Sequence, residues 1–399
     1  MKRYEALVIG GGPAGSTAAL ALARAGWSVA IVEKSVFPRR KVCGEYISAT
    51  TWPVLRELGV ADGLASHAGP PVRRVGFFTA DAMLEAPMPR GDGEWGRAIG
   101  RDLLDGALLE RARTAGAAVL QPWTVNAVRR TGEGFAVSMQ EDGHGDMSEA
   151  QARIVIDAHG SWERDVAMMS SRAPAKDSDL LGFKAHFHDA CLATGLMPLV
   201  LFAGGYGGLV HSDSGRVSFS CCIRRDALAR ARSLRPDLAA GEAVLAHAMA
   251  ACRGLREALG AATRDAPWLA AGPIRPGVRS HADAGIFAVG NAAGEAHPLI
   301  AEGISMAIQS SWLLCQGLAA RRDFSARALE AQGRSYEARW RRHLATRVHA
   351  AALFAAFTAR PAGAALSVEI LKRVPALLTL GARWSGKAHA LGVQLPRGA

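Results

Sequence analysis

A glycine pattern and the carboxylate that follows it are the residues whose spacing points most directly to chemistry. Gly10, Gly12 and Gly15 form G-x-G-x-x-G between an apolar run and an Ala/Leu-rich stretch. Gly10 allows a tight turn, Gly12 lets a pyrophosphate approach the backbone, and Gly15 lets a helix pack closely on a strand. Glu33 closes the next apolar run, where its carboxylate can accept hydrogen bonds from both ribose hydroxyls and would repel a 2′-phosphate. The group therefore predicts a bound FAD or NAD rather than NADP.

Two further residues have side chains suited to proton transfer. Cys43 stands in a basic loop, residues 38–48, that is broken by glycine. Its thiol could shape a pocket or assist protonation, and it could equally be a small buried residue. His297 precedes Pro298; its imidazole could act as a general acid or base, donate to a substrate, or bond to the backbone of its own loop. We predict Cys43 and His297 as the catalytic residues.

Metal and disulfide chemistry have little support in the sequence. The six cysteines include no C-x-x-C pair, which argues against a zinc ribbon or a disulfide scaffold and fits a reducing cytoplasm. His186 and His188 alternate beside Lys184, but two histidines lack a third ligand. We therefore predict no metal site.

The glycine pattern needs a strand before it and a helix after it. Residues 4–9 are an apolar run that predicts a strand, and the helix that follows ends at Gly26. Residues 28–32 predict a second buried strand. A helix with Thr51 as its N-cap and Pro53 in its first turn is expected to end at Gly59.

The rest of the chain alternates between two patterns. Short buried runs at 153–157 and 284–290, with a helix over 302–320, extend the first α/β pattern. Between them, residues 179–263 read as strands separated by glycine-rich turns, which predicts a separate inserted sheet. Residues 328–386 are mostly helical and are interrupted by Pro361 and Pro375.

Composition narrows the class of protein. The chain has 399 residues, of which 49% are hydrophobic and 21% charged, as expected of a globular protein. No run reaches eighteen uncharged apolar residues, and the N-terminus lacks a cleavage site for a signal peptide, so we expect a cytoplasmic protein. The net charge is +11, but no nucleic-acid-binding motif accompanies it, so we expect no nucleic acid as partner.

Three separated motifs resemble those of FAD-dependent oxidoreductases of the p-hydroxybenzoate hydroxylase fold, especially the branch with geranylgeranyl reductases. The first is residues 8–15 with Glu33. The second, residues 39–45, is similar to the K-x-C-G-(G/E) loop of the reductases, where flavin halogenases carry G-E-S. The third, residues 290–304, resembles G-D-A-A-G followed by P-x-x-G-x-G-I. The resemblance covers residues 1 to about 325.

This resemblance implies an α/β fold: an FAD-binding Rossmann-like domain of the glutathione-reductase type, an inserted antiparallel-sheet substrate domain and a C-terminal helical region. The predicted boundaries are 1–75, 97–175 and 276–330 for the FAD-binding domain, 76–96 and 176–275 for the substrate domain, and 331–399 for the helical region. The resemblance also implies a set of cofactor-binding residues: Gly10, Gly12, Pro13, Ala14, Gly15, Glu33, Lys34, Lys41, Cys43, Gly44, Arg101, Val125, Asn291, Ala292, Gly303 and Ile304.

The chain departs from the family pattern at two of these positions. Asn291 replaces the aspartate of the G-D pair; its amide oxygen can still accept a ribityl hydroxyl but brings no charge. His159 with Gly160 replaces the family's D-G motif, in the loop where the family usually contacts NADPH. The helix that starts near Gly303 is expected to aim its N–H groups at the N1/C2 edge of the flavin, where the reduced form is negative.

The leading functional expectation is an FAD-dependent monooxygenase that uses O2 and NADPH or NADH on a hydrophobic, aromatic or polyketide-like molecule in secondary metabolism. The loop at residues 41–45 also favours a C=C reductase or dehydrogenase of the geranylgeranyl reductase type. A halogenase needs a lysine on a tunnel and a W-x-W-x-I-P run, and Trp162 has no such partners. A flavin-binding protein without catalysis is a further alternative.

The C-terminal pieces 350–357 and 366–380 are amphipathic and carry interspersed arginine and lysine. They could touch a membrane surface, cover a lipophilic tunnel or dock on the FAD-binding domain. The sequence leaves the oligomeric state open.

Overall fold

A computed structural model describes residues 2–91, 93–142, 145, 147–161, 174–320, 322–388 and 391–392; Trp162 lies outside them. The strands are β1 (Lys2–Ile9), β2 (Val29–Val32), β3 (Tyr46–Ile47), β4 (Arg74–Thr79), β5 (Ala82–Pro87), β6 (Arg97–Ala98), β7 (Ala118–Leu120), β8 (Trp123–Thr131), β9 (Gly134–Glu141), β10 (Met147–Asp157), β11 (Leu180–His188), β12 (Leu196–Phe202), β13 (Gly205–His211), β14 (Val217–Arg224), β15 (Thr263–Arg264), β16 (Leu269–Ile274), β17 (Gly277–Val278), β18 (Ala282–Asp283), β19 (Ile286–Ala288) and β20 (Gly294–Glu295). The helices are α1 (Pro13–Arg24), α2 (Trp52–Glu57), α3 (Ala61–His67), α4 (Arg101–Thr114), α5 (Arg225–Leu234), α6 (Ala240–Ala251), α7 (Arg253–Leu259), α8 (Gly303–Ala319), α9 (Ala326–Trp340), α10 (Thr346–Thr358), α11 (Pro361–Arg373) and α12 (Ala376–Ala382).

The first sheet holds the glycine pattern. Its path runs β18-β19-β10-β1-β2-β7, with β19, β10, β1, β2 and β7 parallel, and the β8–β9 hairpin joins it through β10. Val8 on one face belongs to the core under α1 and α8, whereas Leu7 on the other face packs against the hairpin. Both faces are covered, which explains why β1 and β2 read as continuous apolar runs.

The second sheet lies in the middle of the sequence. Its path runs β15-β11-β14-β13-β12-β4-β5, with β16 paired to β11, and every pair is antiparallel except β12 with β4. One face packs under α5, α6 and α7, with Phe219 and Val244 in its core. The other face carries Phe77, Tyr206 and Cys222 and packs against the C-terminal helices.

The C-terminal region packs on both sheets. Helix α9 lies on α8, and the buried Tyr336 hydroxyl donates to the Ala288 carbonyl at 2.9 Å. Residues 341–345 form a π-helical turn that leads into α10. Helices α11 and α12 pack on β5, and α12 also contacts β4. We call α10, α11 and α12, with residues 383–387 that follow them, the C-terminal cover.

The fold class predicted from the sequence is confirmed. The exact domain boundaries remain a prediction, although the strands of the second sheet come from residues 74–87 and 180–274. In the part of the chain that the structure describes, no single helix combines the length and apolar composition needed to cross a bilayer. One bent pair, Ala326–Thr358 with Ala362–Arg373 at 106°, meets both criteria together.

Candidate cofactor and substrate site

A cavity of about 660 Å³ lies between the glycine pattern, the second sheet and the C-terminal cover. Of the residues predicted to act in binding or catalysis, these line it: Gly10, Gly12, Pro13, Ala14, Glu33, Lys41, Cys43, Gly44, Arg101, Asn291, Gly303 and Ile304. The cavity runs from the glycine pattern, here called the phosphate end, to the start of α8, here called the ring end. Motifs nearly 300 residues apart in sequence therefore meet in one space.

The other five predicted residues lie off the cavity wall for separate reasons. Gly15 faces the backbone, because a Cβ there would stand 1.8 Å from the Gly10 carbonyl oxygen. Val125 and Ala292 are buried among apolar residues of the core, and Lys34 is exposed. His297 turns toward Tyr206, with ring centroids 4.9 Å apart.

The phosphate end has the features of an anion site. Gly12 is the N-cap of α1 and makes no side-chain cap, so the first-turn N–H groups are left for a ligand. A Cβ at Gly12 would lie 3.7 Å from Arg101 Nη2 and 3.9 Å from Arg39 Nη2, with nothing else within 4 Å. Helix dipole, free backbone donors and two guanidinium groups thus converge on one spot, and this fits the pyrophosphate of FAD.

Arg101 is held in place by Asp105. Its Nε and Nη2 atoms each lie 2.7 Å from a carboxylate oxygen, in a buried bidentate pair. Burial by itself would lower the pKa of Arg101, but Asp105 and then Cys43 outweigh it, so the pKa is raised. The guanidinium therefore stays charged at the cavity wall.

Glu33 has the geometry expected of a ribose acceptor. It is buried, and it accepts a hydrogen bond from the Gly11 N–H at 2.7 Å and from the Ser35 N–H at 2.9 Å. Arg39 Nη2 lies 3.5 Å from one of its oxygens. These bonds fix the carboxylate, and its remaining lone pairs can accept ribose hydroxyls.

The ring end begins where α8 begins. A Cβ on Gly303 would meet nothing within 4 Å, so the helix N-terminus is open to a ligand. Asn291 donates through Nδ2 to Ser161 Oγ at 2.6 Å and to Glu295 Oε1 at 3.2 Å. Its amide oxygen is thereby left as an acceptor, which fits a ribityl hydroxyl. The residues present thus fit FAD at both ends of the cavity.

Glu302, the N-cap of α8, ties the ring end to the C-terminal cover. Its buried carboxylate lies 2.9 Å from Lys387 Nζ and 3.6 Å from Arg347 Nη1. Lys387 also donates to the Ile300 carbonyl at 2.7 Å. Two cations and one carboxylate leave a net positive charge beside the N-terminus of α8. The spacing of Glu302, Arg347 and Lys387 in the sequence does not indicate that they are partners.

Cys43 lies between two groups of the site. Its thiol interacts with the Arg101 side chain and accepts from the Glu45 N–H at 3.4 Å. Because the thiol lines the cavity, it can touch a bound ligand. Its catalytic role remains a prediction.

His297 is neutral where it was predicted to exchange protons. Burial lowers its pKa from 6.5 to about 4, because the charged ring is penalised away from water. At neutral pH the ring can accept a proton but carries none to donate as an imidazolium. Its Nδ1 has no hydrogen-bond partner among the described residues.

This pKa predicts a pH dependence of stability. Between pH 6.5 and about 4 the unfolded imidazole binds a proton that the folded protein excludes, so His297 destabilises the fold as the pH falls. We expect His297→Asn to reduce the slope of unfolding free energy against pH in this window by up to about 1.4 kcal/mol per pH unit. Denaturant unfolding from pH 4 to 7 measures it, with the exposed His67→Asn as control. An unchanged slope would contradict a buried neutral ring.

A buried charged cluster stands beside Cys43, and the sequence analysis missed it. Glu45, buried and at a positive φ of 63°, is contacted by Lys184 Nζ, by His186 Nε2 at 2.8 Å and by Ser212 Oγ at 3.0 Å. Burial raises the pKa of Glu45, but the bonds and charges of His186 and Lys184 outweigh it and lower the pKa to about 2. The loop over the cavity is thus fixed to the second sheet by an ion pair.

The cluster continues into the turn after β13. Asp213 is buried, and it accepts hydrogen bonds from Ser212 Oγ at 3.0 Å, from the Gly100 N–H and from Arg216. Its carboxylate therefore joins the start of α4 to the turn after β13.

Comparison with known proteins shows which proteins this chain resembles. A family model for an FAD binding domain matches residues 3–197. The chain is 28% identical over 331 residues to conditioned medium factor receptor 1 of Dictyostelium discoideum, covering 78% of this chain and 62% of that protein. It is 32% identical over 178 residues to a 1H-pyrrole-2-carbonyl-(peptidyl-carrier protein) chlorinase of Pseudomonas fluorescens, and the match covers 39% of this chain and 39% of that protein. It is 31% identical over 157 residues to menaquinone reductase of Mycobacterium tuberculosis, 39% of this chain and 38% of that one. The chain thus spans less than two thirds of these relatives.

Solved structures share the fold over most of their length. The flavin-dependent brominase Bmp2 has a TM-score of 0.75 at 18% identity, covering 97% of this chain and 94% of that one. PqsL of P. aeruginosa has a TM-score of 0.68 at 18% identity, and the match covers 91% of this chain and 98% of that one. A geranylgeranyl bacteriochlorophyll reductase-like protein of Thermoplasma acidophilum has a TM-score of 0.66 at 18% identity, and the match covers 99% of this chain and 94% of that one. Residues 3–197 of the chain therefore match an FAD binding domain, and the whole chain has the fold of these flavoproteins.

Proposed function

We propose that the chain is an FAD-dependent monooxygenase that hydroxylates a hydrophobic small molecule, aromatic or polyketide-like, in secondary metabolism. NADPH or NADH is the proposed electron donor. Bound FAD would supply two-electron transfer and the activation of O2. The observation that carries the proposal is the apolar part of the cavity wall, formed by side chains of both the second sheet and the C-terminal cover, such as Phe77, Leu199, Ile274, Phe354 and Leu371.

The chain's own residues position the substrate and exclude water. An apolar wall with few polar groups selects a hydrophobic molecule and orients it by those few groups. Tyr206 is the polar group best placed for this, because it lines the cavity and its hydroxyl is buried beside the Cys222 thiol and the Leu299 backbone. Burial raises the pKa of Tyr206, so the phenol stays protonated and can donate.

Tyr206→Phe tests this positioning role. We expect a tenfold weaker binding of an oxygen-bearing aromatic ligand, about the value of one hydrogen bond of 1–1.5 kcal/mol. A ligand of the same shape without the oxygen should bind equally to both proteins. Titration by the change in flavin absorbance measures each affinity, and Tyr4→Phe on β1 serves as control. Equal losses for both ligands would show a packing role only.

Reduction of a C=C bond is the second candidate, and the loop with Lys41, Cys43 and Gly44 at the cavity wall favours it. The menaquinone reductase match supports the same reading. Halogenation has support from the brominase and chlorinase matches. Against it, both lysines on the cavity wall are engaged in other contacts. Lys387 contacts Glu302, Ile300 and Ser385, and Lys41 also interacts with another group.

One set of turnovers separates the three reactions. Protein reduced by NADPH or NADH is mixed with hydrophobic aromatic compounds or with an isoprenoid quinone, either anaerobically or with labelled O2, and with or without chloride or bromide. Label in the product supports hydroxylation. Product without O2 shows a reductase, and halide in the product shows a halogenase; either result would contradict the proposed reaction.

We also propose a cytoplasmic location. All six cysteines are free thiols in the structure, and four of them are buried, which fits a reducing compartment. Fractionation of cells with thiol alkylation before lysis tests it. Intermolecular or intramolecular disulfides in the native protein would contradict it.

A further inference from the structure

Large apolar side chains are exposed on the C-terminal cover. They are Leu353, Phe357, Leu366, Ile370, Val374, Leu377, Leu380 and Trp384. Leu366 and Ile370 lie one turn apart on α11, Leu377 and Leu380 lie one turn apart on α12, Val374 lies at the break between the two helices, and Trp384 follows α12. We call these six residues the stripe. Leu353 is 74% exposed and Trp384 68%. Elsewhere in the described chain, exposed large apolar residues stand singly, which is ordinary for a protein surface.

The stripe is continuous with the cavity. Ile370, Leu377, Leu380 and Trp384 are exposed and also line the cavity wall. The apolar interior therefore reaches the surface within the stripe. A lipophilic molecule could pass from the stripe to the cavity while remaining in contact with apolar side chains.

Positive charge surrounds the stripe. Residues 346–387 contain six Lys and Arg and a single acidic residue, Glu369. Of the six, Arg347 and Lys387 are buried against Glu302, and Lys372 pairs with Glu369 at 2.9 Å. Arg360, Lys372, Arg373 and Arg383 are exposed on or beside α11 and α12. An apolar stripe bordered by cations is the pattern of helices that lie in the headgroup region of an anionic bilayer.

We propose that the C-terminal cover docks on an anionic lipid surface with the mouth of the cavity facing the bilayer. Bound in this way, the protein takes its lipophilic substrate directly from the membrane; only this last point rests on the proposed function. Docking buries the apolar stripe, and the arginines meet lipid phosphates. The chemistry selects acidic phospholipids over zwitterionic ones, because the basic residues contribute only where the surface is negative.

A bilayer fits the surface better than an acidic protein does. Charge alone suits either partner, but the stripe consists of long aliphatic side chains and a tryptophan, and four of these residues also line the cavity. Tryptophan and basic residues beside aliphatic ones are the usual composition at the membrane interface. An acidic protein would meet the same arginines without needing this aliphatic stripe.

Vesicle flotation of the full FAD-loaded chain tests the proposal. Vesicles of phosphatidylcholine alone are compared with vesicles that contain phosphatidylglycerol. One variant replaces three apolar residues that do not line the cavity, Leu353→Ser, Leu366→Ser and Val374→Ser. A second reverses charge with Arg360→Glu, Arg373→Glu and Arg383→Glu. The control changes an equally exposed site on α5, Leu234→Ser with Arg230→Glu and Arg235→Glu.

We expect strong partitioning onto phosphatidylglycerol vesicles and weak partitioning onto phosphatidylcholine. Charge reversal should reduce the partition coefficient by at least about a hundredfold, roughly fivefold for each arginine lost. The apolar variant should also release the protein, and the control should not. Retention of flavin absorbance in every variant shows that folding is intact. Because no turnover is measured, a wrong assignment of the reaction would leave this result unchanged.

Three outcomes would overturn docking. The first is failure to bind either vesicle. The second is equal loss of binding in the control. The third is binding that charge reversal removes and the apolar variant leaves intact, together with retention on immobilised polyglutamate, because this would show a polyanion or acidic-protein site.

Discussion

Replacing Gly12 with aspartate will give a folded protein that no longer retains FAD. The new carboxylate enters the space between the start of α1, Arg101 and Arg39, where a Cβ has room but a second anion does not. It would occupy the donors expected to hold the pyrophosphate. Losing charge-assisted hydrogen bonds worth roughly 1.5–3 kcal/mol each should weaken FAD binding at least about a hundredfold. Absorbance of the purified protein near the flavin band measures the loss directly.

The control for this variant is Gly63→Asp. Gly63 lies on α3, and a Cβ there would meet nothing within 4 Å. Both variants should keep the far-ultraviolet circular dichroism of the parent, and only Gly63→Asp should remain yellow. A yellow Gly12→Asp protein would contradict the assignment of the phosphate end.

Replacing Glu45 with glutamine will destabilise the protein strongly. The change leaves Lys184 charged and buried without its carboxylate partner. Breaking one side of a buried pair typically costs roughly 3–5 kcal/mol, because the remaining charge is not solvated. The surface pair of Arg74 and Glu85, 2.6 Å apart, provides the matched control. Glu85→Gln should cost at most about 1 kcal/mol, since an exposed pair is screened by water.

A double variant separates the ion pair from other effects. Glu45→Gln with Lys184→Met removes both charges and should recover part of the stability that Glu45→Gln alone loses. Denaturant unfolding of the four proteins of the cycle gives the coupling. Additive losses would show that the two side chains do not depend on each other.

The same pair sets an acid limit to stability. The pKa of Glu45 falls from 4.5 to about 2 on folding, so its contribution is complete above pH 4.5 and is lost as the pH falls toward 2. The parent should therefore lose stability faster than Glu45→Gln across this range. Parallel curves for the two proteins would contradict the lowered pKa.

The phosphate end was predictable because its parts are close in sequence. Gly10 through Gly15 and Glu33 fall within one strand–helix–strand unit, where each spacing has a single geometric consequence. Asn291 and Gly303 needed the family resemblance, because nothing in their spacing alone joins them to the first strand. The structure then brought both groups to one cavity.

The Glu45 cluster was not predictable in the same way. Alternation along β11 correctly puts Lys184 and His186 on one face, but their shared partner lies 139 and 141 residues away in the chain. From sequence alone, His186 and His188 therefore stand as two histidines, without the Glu45 carboxylate that binds His186. A buried lysine between apolar neighbours was the signal available in the sequence, because such a charge requires a partner.

The glycines of the second sheet do not all lie in turns. The sequence predicts glycine-rich turns in this region, but strand β13 begins at Gly205 and pairs on both sides, with β12 and β14. A Cβ on Gly207 would stand 2.8 Å from the Cys221 Cβ, so the glycine serves close contact between strands. A glycine that permits close contact between strands and a glycine in a turn look alike in sequence, and only the tertiary packing distinguishes them.

The order of the elements along the chain separates the walls of the cavity. The glycine pattern, Arg101, the second sheet and α8 all precede residues 346–387, which make the remaining wall of the cavity and bring Lys387 to Glu302. A flavin bound between the earlier elements would be enclosed by the C-terminal cover, so its exchange would need the remaining opening of the cavity or detachment of the cover.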